Sequence, residues 1–351
     1  LVPQTFVWSK QPGRTATNLW DGLFGPVQWP GKIRVFCQFI LNYKHARLWS
    51  GEAFDLKEFL DRHESLSDEQ AADKVRYALL RRMERDRTVV VGPLKKPAAR
   101  LQDELLRSPR VRTSIENYAR KKGISTAKAD AIARKHLQSL CAKPSPFVVG
   151  LLARFLSWVW NKMYDGIVVD QEGLERLRAA SRDATIILLP SHKSHVDYLV
   201  LSDRLHANSM SVPMIAAGDN LNFWPAGPIL RRAGAFFIRR SFRGDELYPV
   251  LVRAYMRKLL AEGYPVEFFL EGGRSRTGKL LPPKYGLLSM VFDSAVMLPA
   301  TKIIFVPISI GYERIIEERS FVHELSGGEK QLSLIHISEP TRLESKSRDA
   351  G

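Results

Sequence analysis

The chain has 351 residues, more than a single ordinary core usually needs, so two domains are expected. Hydrophobic residues at 45% and charged residues at 26% exclude a disordered tail, and two cysteines without a CxxC exclude a disulfide framework or a cysteine-pair zinc site. A formal net charge of +16 favours anionic partners (phosphate substrates, lipid head groups, acidic carrier proteins or nucleic acid) without choosing among them.

Residues 1–52 are rich in Trp, Phe, Pro and Gly and form an unassigned N-terminal segment. The chain opens at Leu1 rather than Met, which reads as a fragment, so a missing targeting signal carries no weight. From Asp55 the pattern turns helical, with Asp55 as a cap and Glu58 in the capping-box position. Ser67 starts a helix running toward Arg87. Ser108-Pro109 opens another, which Gly123 ends. Ser125 begins a further helix with Ala131, Ile132, His136, Leu137 and Leu140 as its apolar stripe, His136 being read as a packed core histidine rather than a ligand. No run of 18 or more uncharged apolar residues occurs, so no transmembrane helix is expected. Residues 147–163, FVVGLLARFLSWVWNKM, come nearest; Arg154 interrupts them, and Trp158 and Trp160 sit near one end. Two readings stand side by side: a helix lying in a membrane interface, or a core helix between domains. Residues 53–165 therefore read as a helical domain.

After Asp170 short apolar runs alternate with helical patterns. Strands are expected at 185–189, 212–216, 235–238, 266–270 and 303–310, and helices near 196–207, 224–232, 245–262 and 286–297. Asp245 and Gly263 bracket the third of these helices. The alternation predicts an α/β fold for residues 166–331: a mostly parallel or mixed sheet flanked by helices, preceded by the mainly helical N-terminal domain. Ligands of such sheets bind beyond the carboxyl ends of the strands, so chemistry is expected just after each run. Residues 332–351 fall outside the alternation and read like translated sequencing-adapter sequence. They are expected to be foreign, and no role is given to His336 or Glu339.

Directly after TIILLP comes SHKSHVD, where His192 and Asp197 form an HxxxxD pair. A turn between them brings the carboxylate onto the imidazole, holding one ring nitrogen as N–H and leaving the other as a base. This is the base-and-orienter logic of a catalytic triad with a substrate hydroxyl in place of the serine. The bland reading is a surface turn with a capping aspartate, and His195 is the competing histidine. The next strand end, GAFFIRRSFRG, belongs to a stretch from Arg231 to Arg243 with five arginines and no acid before Gly244. Arginine forks match phosphate oxygens, and Arg239 and Arg240 follow the strand directly; a solvated basic loop is the alternative. The third strand end gives VEFFLEGGRSRTGK, where Glu271, Gly272 and Gly273 admit close backbone approach and Arg274 and Arg276 add charge. In the fourth run Pro307 either bends the strand to shape an apolar acyl groove or marks a plain edge strand.

Two nucleotide-binding look-alikes fail. Residues 273–279 fit GxxxxGK, but Leu280 replaces the required Ser or Thr, and Pro282 and Pro283 block the helix that should hold the phosphate. The LSGGEK at 325–330 is followed almost at once by LIHISEPT, with Ser338 where a magnesium-binding aspartate belongs.

In order and spacing, HKSHVD, GAFFIRR, FLEGGRSRTGK and VPISIGYE resemble the four motif blocks of the HxxxxD glycerolipid acyltransferases. The intervening IAAGDNLNFWPAGPILRRAGAFFIRR and the helical region resemble the bacterial glycerol-3-phosphate branch and its mitochondrial relatives, over roughly residues 1–330. The resemblance implies His192 as catalytic base and Asp197 as its orienter. It implies Arg239, Glu271, Gly272, Arg274 and Ser275 as the glycerol 3-phosphate site, with Pro307 matching block four. It further implies acyl-CoA or acyl-carrier protein as donor, no metal or cofactor, and work against an anionic membrane surface at the cytoplasmic side of the cell inner membrane in phospholipid synthesis. An acyltransferase for 1-acylglycerol 3-phosphate is the nearest alternative; it shares HxxxxD but is usually shorter and lacks this helical region. A non-enzymatic basic module is the alternative from another class, although no nucleic-acid motif is recognisable.

Overall fold

The computed structural model describes residues 1–8, 32, 36, 46–51, 53–64, 66–93, 96–163, 167–194, 196–242, 244–275 and 279–312. Strands β1 (Gln4–Trp8) and β2 (Ala46–Ser50) pair antiparallel within the segment that carried no sequence assignment. Helix α1 (Leu56–Asp61) starts where expected, with Asp55 accepting from the Glu58 N–H at 3.0 Å. Helix α2 (Asp68–Val91) opens on a full capping box between Ser67 and Gln70. It runs past the expected end at Arg87 because Val89 is buried among Leu174, Leu177 and Leu205, and that packing outweighs the weak helix propensity of three valines.

Helix α3 (Ala98–Arg107) had no clear cap in the sequence and was not expected. Helix α4 (Pro109–Lys122) has its proline at the start and ends at Gly123, whose φ of 62° closes the last turn. Helix α5 (Thr126–Leu140) buries Ala129, Ala133, Leu137 and Leu140, while Ala131 of the expected stripe faces solvent. The buried set follows the i, i+4, i+8, i+11 spacing of one helical face, so the true stripe is rotated from the expected one and leaves Ala131 outside it. Helices α6 (Pro146–Met163) and α7 (Gln171–Asp183) follow. The latter is polar or charged along most of its length and buries only Leu174 and Leu177, which hid it in the sequence.

The second half alternates as anticipated: β3 (Thr185–Pro190), α8 (Asp197–Ala207), β4 (Met214–Gly218), α9 (Ala226–Ala233), β5 (Ala235–Ile238), α10 (Leu247–Ala261), β6 (Val266–Glu267), α11 (Tyr285–Val296) and β7 (Ile303–Ile308). Asp245 accepts from the Tyr248 N–H at 3.0 Å to begin α10, and Gly263 at φ 76° ends it. The strands are ordered β5-β4-β6-β3-β7, and every described pair is parallel. The α/β class and the helical region before it are therefore as expected. β6 is shorter than the apolar run 266–270, because the chain leaves the ladder after Glu267 and turns at Gly272.

One hydrophobic core joins the two halves. Leu105, Ile115 and Leu137 of α3–α5 pack in the same cluster as Phe236, Tyr255 and Val266. The boundary expected at 165/166 thus does not separate two cores. Val266 and Phe268 point into this cluster, and the parallel sheet brings the carboxyl ends of β3, β4, β5 and β6 to one edge.

Candidate active site

That edge holds the expected pair. His192 lies in the loop after β3, and Asp197 is the first residue of α8. The imidazole Nδ1 stands 3.0 Å from Asp197 Oδ2. The carboxylate is wholly buried, and its Oδ2 also accepts from the backbone N–H groups of Lys193 and Ser194 at 2.7 and 2.9 Å. Tyr312 donates its hydroxyl to Oδ1 at 2.5 Å. With so many donors directed at it, the carboxylate acts as acceptor toward the ring. Nδ1 therefore carries hydrogen, so in the neutral ring the lone pair is on Nε2. The ring stacks on Phe269 with centroids 3.9 Å apart, which limits its rotation. Neither Tyr312 nor Phe269 was singled out from sequence.

His192 borders a cavity of about 630 Å³. Its apolar wall includes Leu152 and Leu156 of α6, Leu221, Leu230 and Phe268. Arg239, Arg240, Arg274 and Lys284 supply its cationic side. Asp203 is the one carboxylate in its lining among the described residues, and Arg204 pairs with it. The volume lies within the usual range for a small-molecule site.

The other expected residues divide by position. Arg239, Gly272 and Arg274 line this cavity with His192. Gly272 has φ 57°, a backbone conformation that favours glycine, and a Cβ there would meet Lys284 Cδ at 2.7 Å and push the lysine aside. Lys284 was missed because it lies beyond the prolines that close the third motif.

Glu271 and Ser275 serve the loop instead of the cavity lining. Glu271 is buried; Oε1 accepts from the His192 N–H at 2.8 Å and Oε2 from the Leu281 N–H at 3.0 Å. Both oxygens hold backbone, and a carboxylate would also repel a phosphate. With both oxygens so engaged, the side chain clamps the loop of His192 to the segment at Leu281. The Ser275 N–H donates to the His192 carbonyl at 2.8 Å, while its buried Oγ has no hydrogen-bond partner among the described residues.

Arg231, first of the five arginines, is buried and donates to the carbonyls of Cys141 and Ser139 at 2.7 and 2.8 Å. It closes the end of α5 rather than meeting a ligand. Pro307 sits exposed on β7, the edge strand of the described sheet, and does not line the cavity. Among the described residues this placement is that of an edge strand. Its missing N–H is tolerated where no further described strand needs it. No group of three or more metal-ligating side chains occurs among the described residues. No helix follows Lys279 until Tyr285, beyond both prolines, so the nucleotide-loop look-alike lacks its phosphate-binding helix. His195, Arg243, Arg276, the LSGGEK segment and the tail with His336, Ser338 and Glu339 lie outside the described residues.

Comparison with known proteins agrees with this geometry. Residues 168–311 match the family Acyltransferase. Over 332 residues, 94% of its length, the chain is 39% identical to "Glycerol-3-phosphate acyltransferase" of Shewanella loihica and, over the same span, 39% identical to that of Shewanella denitrificans. It spans 40% of the length of each. The crystal structure of the 1-acyl-sn-glycerophosphate (LPA) acyltransferase from Thermotoga maritima is 16% identical, covering 51% of this chain and 92% of that one. Its TM-score of 0.24 is too low to bear on the fold. The His192–Asp197 pair thus lies within the residues that match the Acyltransferase family, and the resemblance to the glycerolipid acyltransferases read from the four motifs is borne out.

Proposed function

We propose that this chain carries the reaction centre of a glycerol-3-phosphate 1-O-acyltransferase, taking its acyl group from acyl-CoA or acyl-carrier protein. The observation that carries the reading is the buttressed imidazole of His192 on the rim of a cavity lined by both apolar and cationic side chains. His192 Nε2 removes the proton of the sn-1 hydroxyl as its oxygen attacks the thioester carbonyl. The tetrahedral intermediate collapses with loss of the thiolate, which takes the proton from the imidazolium. The products are the ester and a free thiol, with no acyl-enzyme. Arg239, Arg274 and Lys284 bind the phosphate and place the hydroxyl beside the imidazole. The wall formed by Leu152, Leu156, Leu221 and Leu230 receives the acyl chain.

The same reading places the enzyme against an anionic membrane, on the cytoplasmic side of the inner membrane. One face of α6 lines the cavity, whereas Phe147, Leu151, Phe155 and Trp158 are exposed on it. Residues 143–163 contain no acid and carry Lys143, Arg154 and Lys162, a composition suited to an interfacial helix. No helix among the described residues is long and apolar enough to cross a membrane.

The deciding assay measures acyl transfer to glycerol 3-phosphate by the full-length gene product and its His192→Ala variant. A loss of at least about 10²-fold is expected, the usual scale for a general base. Equal rates would refute the assignment. Running 1-acylglycerol 3-phosphate beside it separates the two acceptors. Function that survives His192→Ala intact would favour a non-enzymatic basic module.

A further inference from the structure

Arg239 does not stand alone on the cavity wall. Its Nη1 donates to Asp245 Oδ2 at 2.8 Å, and its Nη2 lies 2.9 Å from His136 Nδ1. His136 Nε2 is 3.1 Å from the same Asp245 oxygen, closing a triangle of three side chains. The guanidinium lies 4.4 Å above the Tyr248 ring, and the Arg239 N–H donates to the Tyr248 hydroxyl at 3.2 Å. The three corners come from separate parts of the fold: α5, the loop after β5, and the segment that starts α10.

Donor and acceptor counting settles the state of the imidazole. Arginine nitrogens only donate, so His136 Nδ1 must accept. Nε2 then carries the hydrogen and faces the Asp245 carboxylate at 3.1 Å. The ring is neutral, and the arrangement is incompatible with imidazolium, whose Nδ1–H would point at the guanidinium. The charged and titratable groups around His136 are Arg239, Asp245, Lys135 and the edge-on ring of Tyr248. Burial is the main influence lowering its pKa; Asp245 opposes this, and Arg239 and Lys135 add to it. The net effect favours the neutral imidazole, in keeping with the acceptor role that the geometry gives Nδ1.

We propose that His136 is a positioning residue for the substrate phosphate. It locks the Arg239 fork against Asp245, so that the guanidinium meets the anion in one orientation. The inference rests on Arg239 being a phosphate ligand in the reaction proposed above. It assigns to the helical region a part in substrate recognition, through a side chain that does not itself line the cavity. Protonation of His136 removes its acceptor and sets like charges together, which frees Arg239. Affinity for the phosphate then falls in acid independently of the base at His192.

The test uses the full-length enzyme in steady state, varying glycerol 3-phosphate at saturating acyl donor. His136→Phe keeps a ring of similar size but offers no acceptor. It is expected to raise KM for glycerol 3-phosphate about tenfold, the scale for a hydrogen bond to a charged group, with kcat within about twofold. His136→Asn places an amide oxygen near the Nδ1 position, so it should recover most of the affinity and abolish the acid rise in KM. An unchanged KM in His136→Phe would overturn the inference. So would an equal loss for both substrates that Asn does not rescue, since a purely structural histidine behaves that way. If wild-type enzyme transfers no acyl group to glycerol 3-phosphate, the proposed function fails and this inference falls with it. Activity with an unaffected KM sinks the positioning role alone.

Discussion

The carboxylate of Glu271, beyond β6, holds the backbone N–H of His192, beyond β3, at 2.8 Å. Its second oxygen holds Leu281, so one buried side chain ties the loop of the base to the glycine-rich loop and the segment that follows. Glu271→Gln keeps one acceptor oxygen but turns an N–H pair toward the other backbone donor. It should cost about 1–3 kcal/mol of stability, the penalty for an unmade buried hydrogen bond. Because the loop carries His192, kcat should fall along with the thermal midpoint. Chemical denaturation and initial rates on one preparation check both, and unchanged values would show that the clamp is dispensable.

Asp197 accepts from His192, Lys193, Ser194 and Tyr312, all with donors. Asp197→Asn turns an amide N–H₂ toward some of these donors and favours the wrong imidazole tautomer. A loss in kcat comparable to that of His192→Ala is expected, with KM little altered. Tyr312→Phe removes a single donor and should slow turnover by less. A Phe variant slower than the Asn variant would show that the tyrosine, not the aspartate, governs the base.

Glu267 faces the other side of β6 from the main core. It is wholly buried, and neither oxygen has a hydrogen-bond partner among the described residues. Burial, with Asp197 adding to it, raises its pKa well above its ordinary value of 4.5. Below that value the folded and unfolded chains both keep the proton. As pH rises above it, the unfolded chain releases the proton while the folded chain holds it, so stability falls until the folded group also ionises. Glu267→Gln supplies a permanently neutral side chain of the same shape. The stability of wild type relative to this variant should decline in urea unfolding as pH rises above the ordinary value of 4.5. A difference that stays flat over that rise would mean that Glu267 titrates normally.

The exposed stripe of α6 gives a prediction independent of chemistry. Replacing Phe155 and Trp158 by Ser should leave the fold intact, because Leu156 and Trp160 carry the buried face. Flotation of the full-length protein with anionic vesicles should weaken markedly, and added salt should weaken the wild type too. Undiminished flotation would assign attachment to another surface.

Much was legible in the chain because it depends on local chemistry. Ser67, Ser125 and Gly123 mark helix ends through their own hydrogen bonds and backbone freedom. The HxxxxD spacing spans one strand-to-helix turn, so five residues sufficed to imply the His192–Asp197 contact. The apolar runs announced a parallel sheet, and the order of the motifs announced which strand ends would meet. Tertiary packing decided the rest. No local pattern reveals that Val89 extends α2, that Ala129 and Ala133 rather than Ala131 face the core, or that both Glu271 oxygens are taken by backbone. Nor could spacing show His136 beside Arg239, 103 positions apart. Those relations depend on which surfaces exclude water together, and long-range burial is a property of the assembled core rather than of any stretch of sequence.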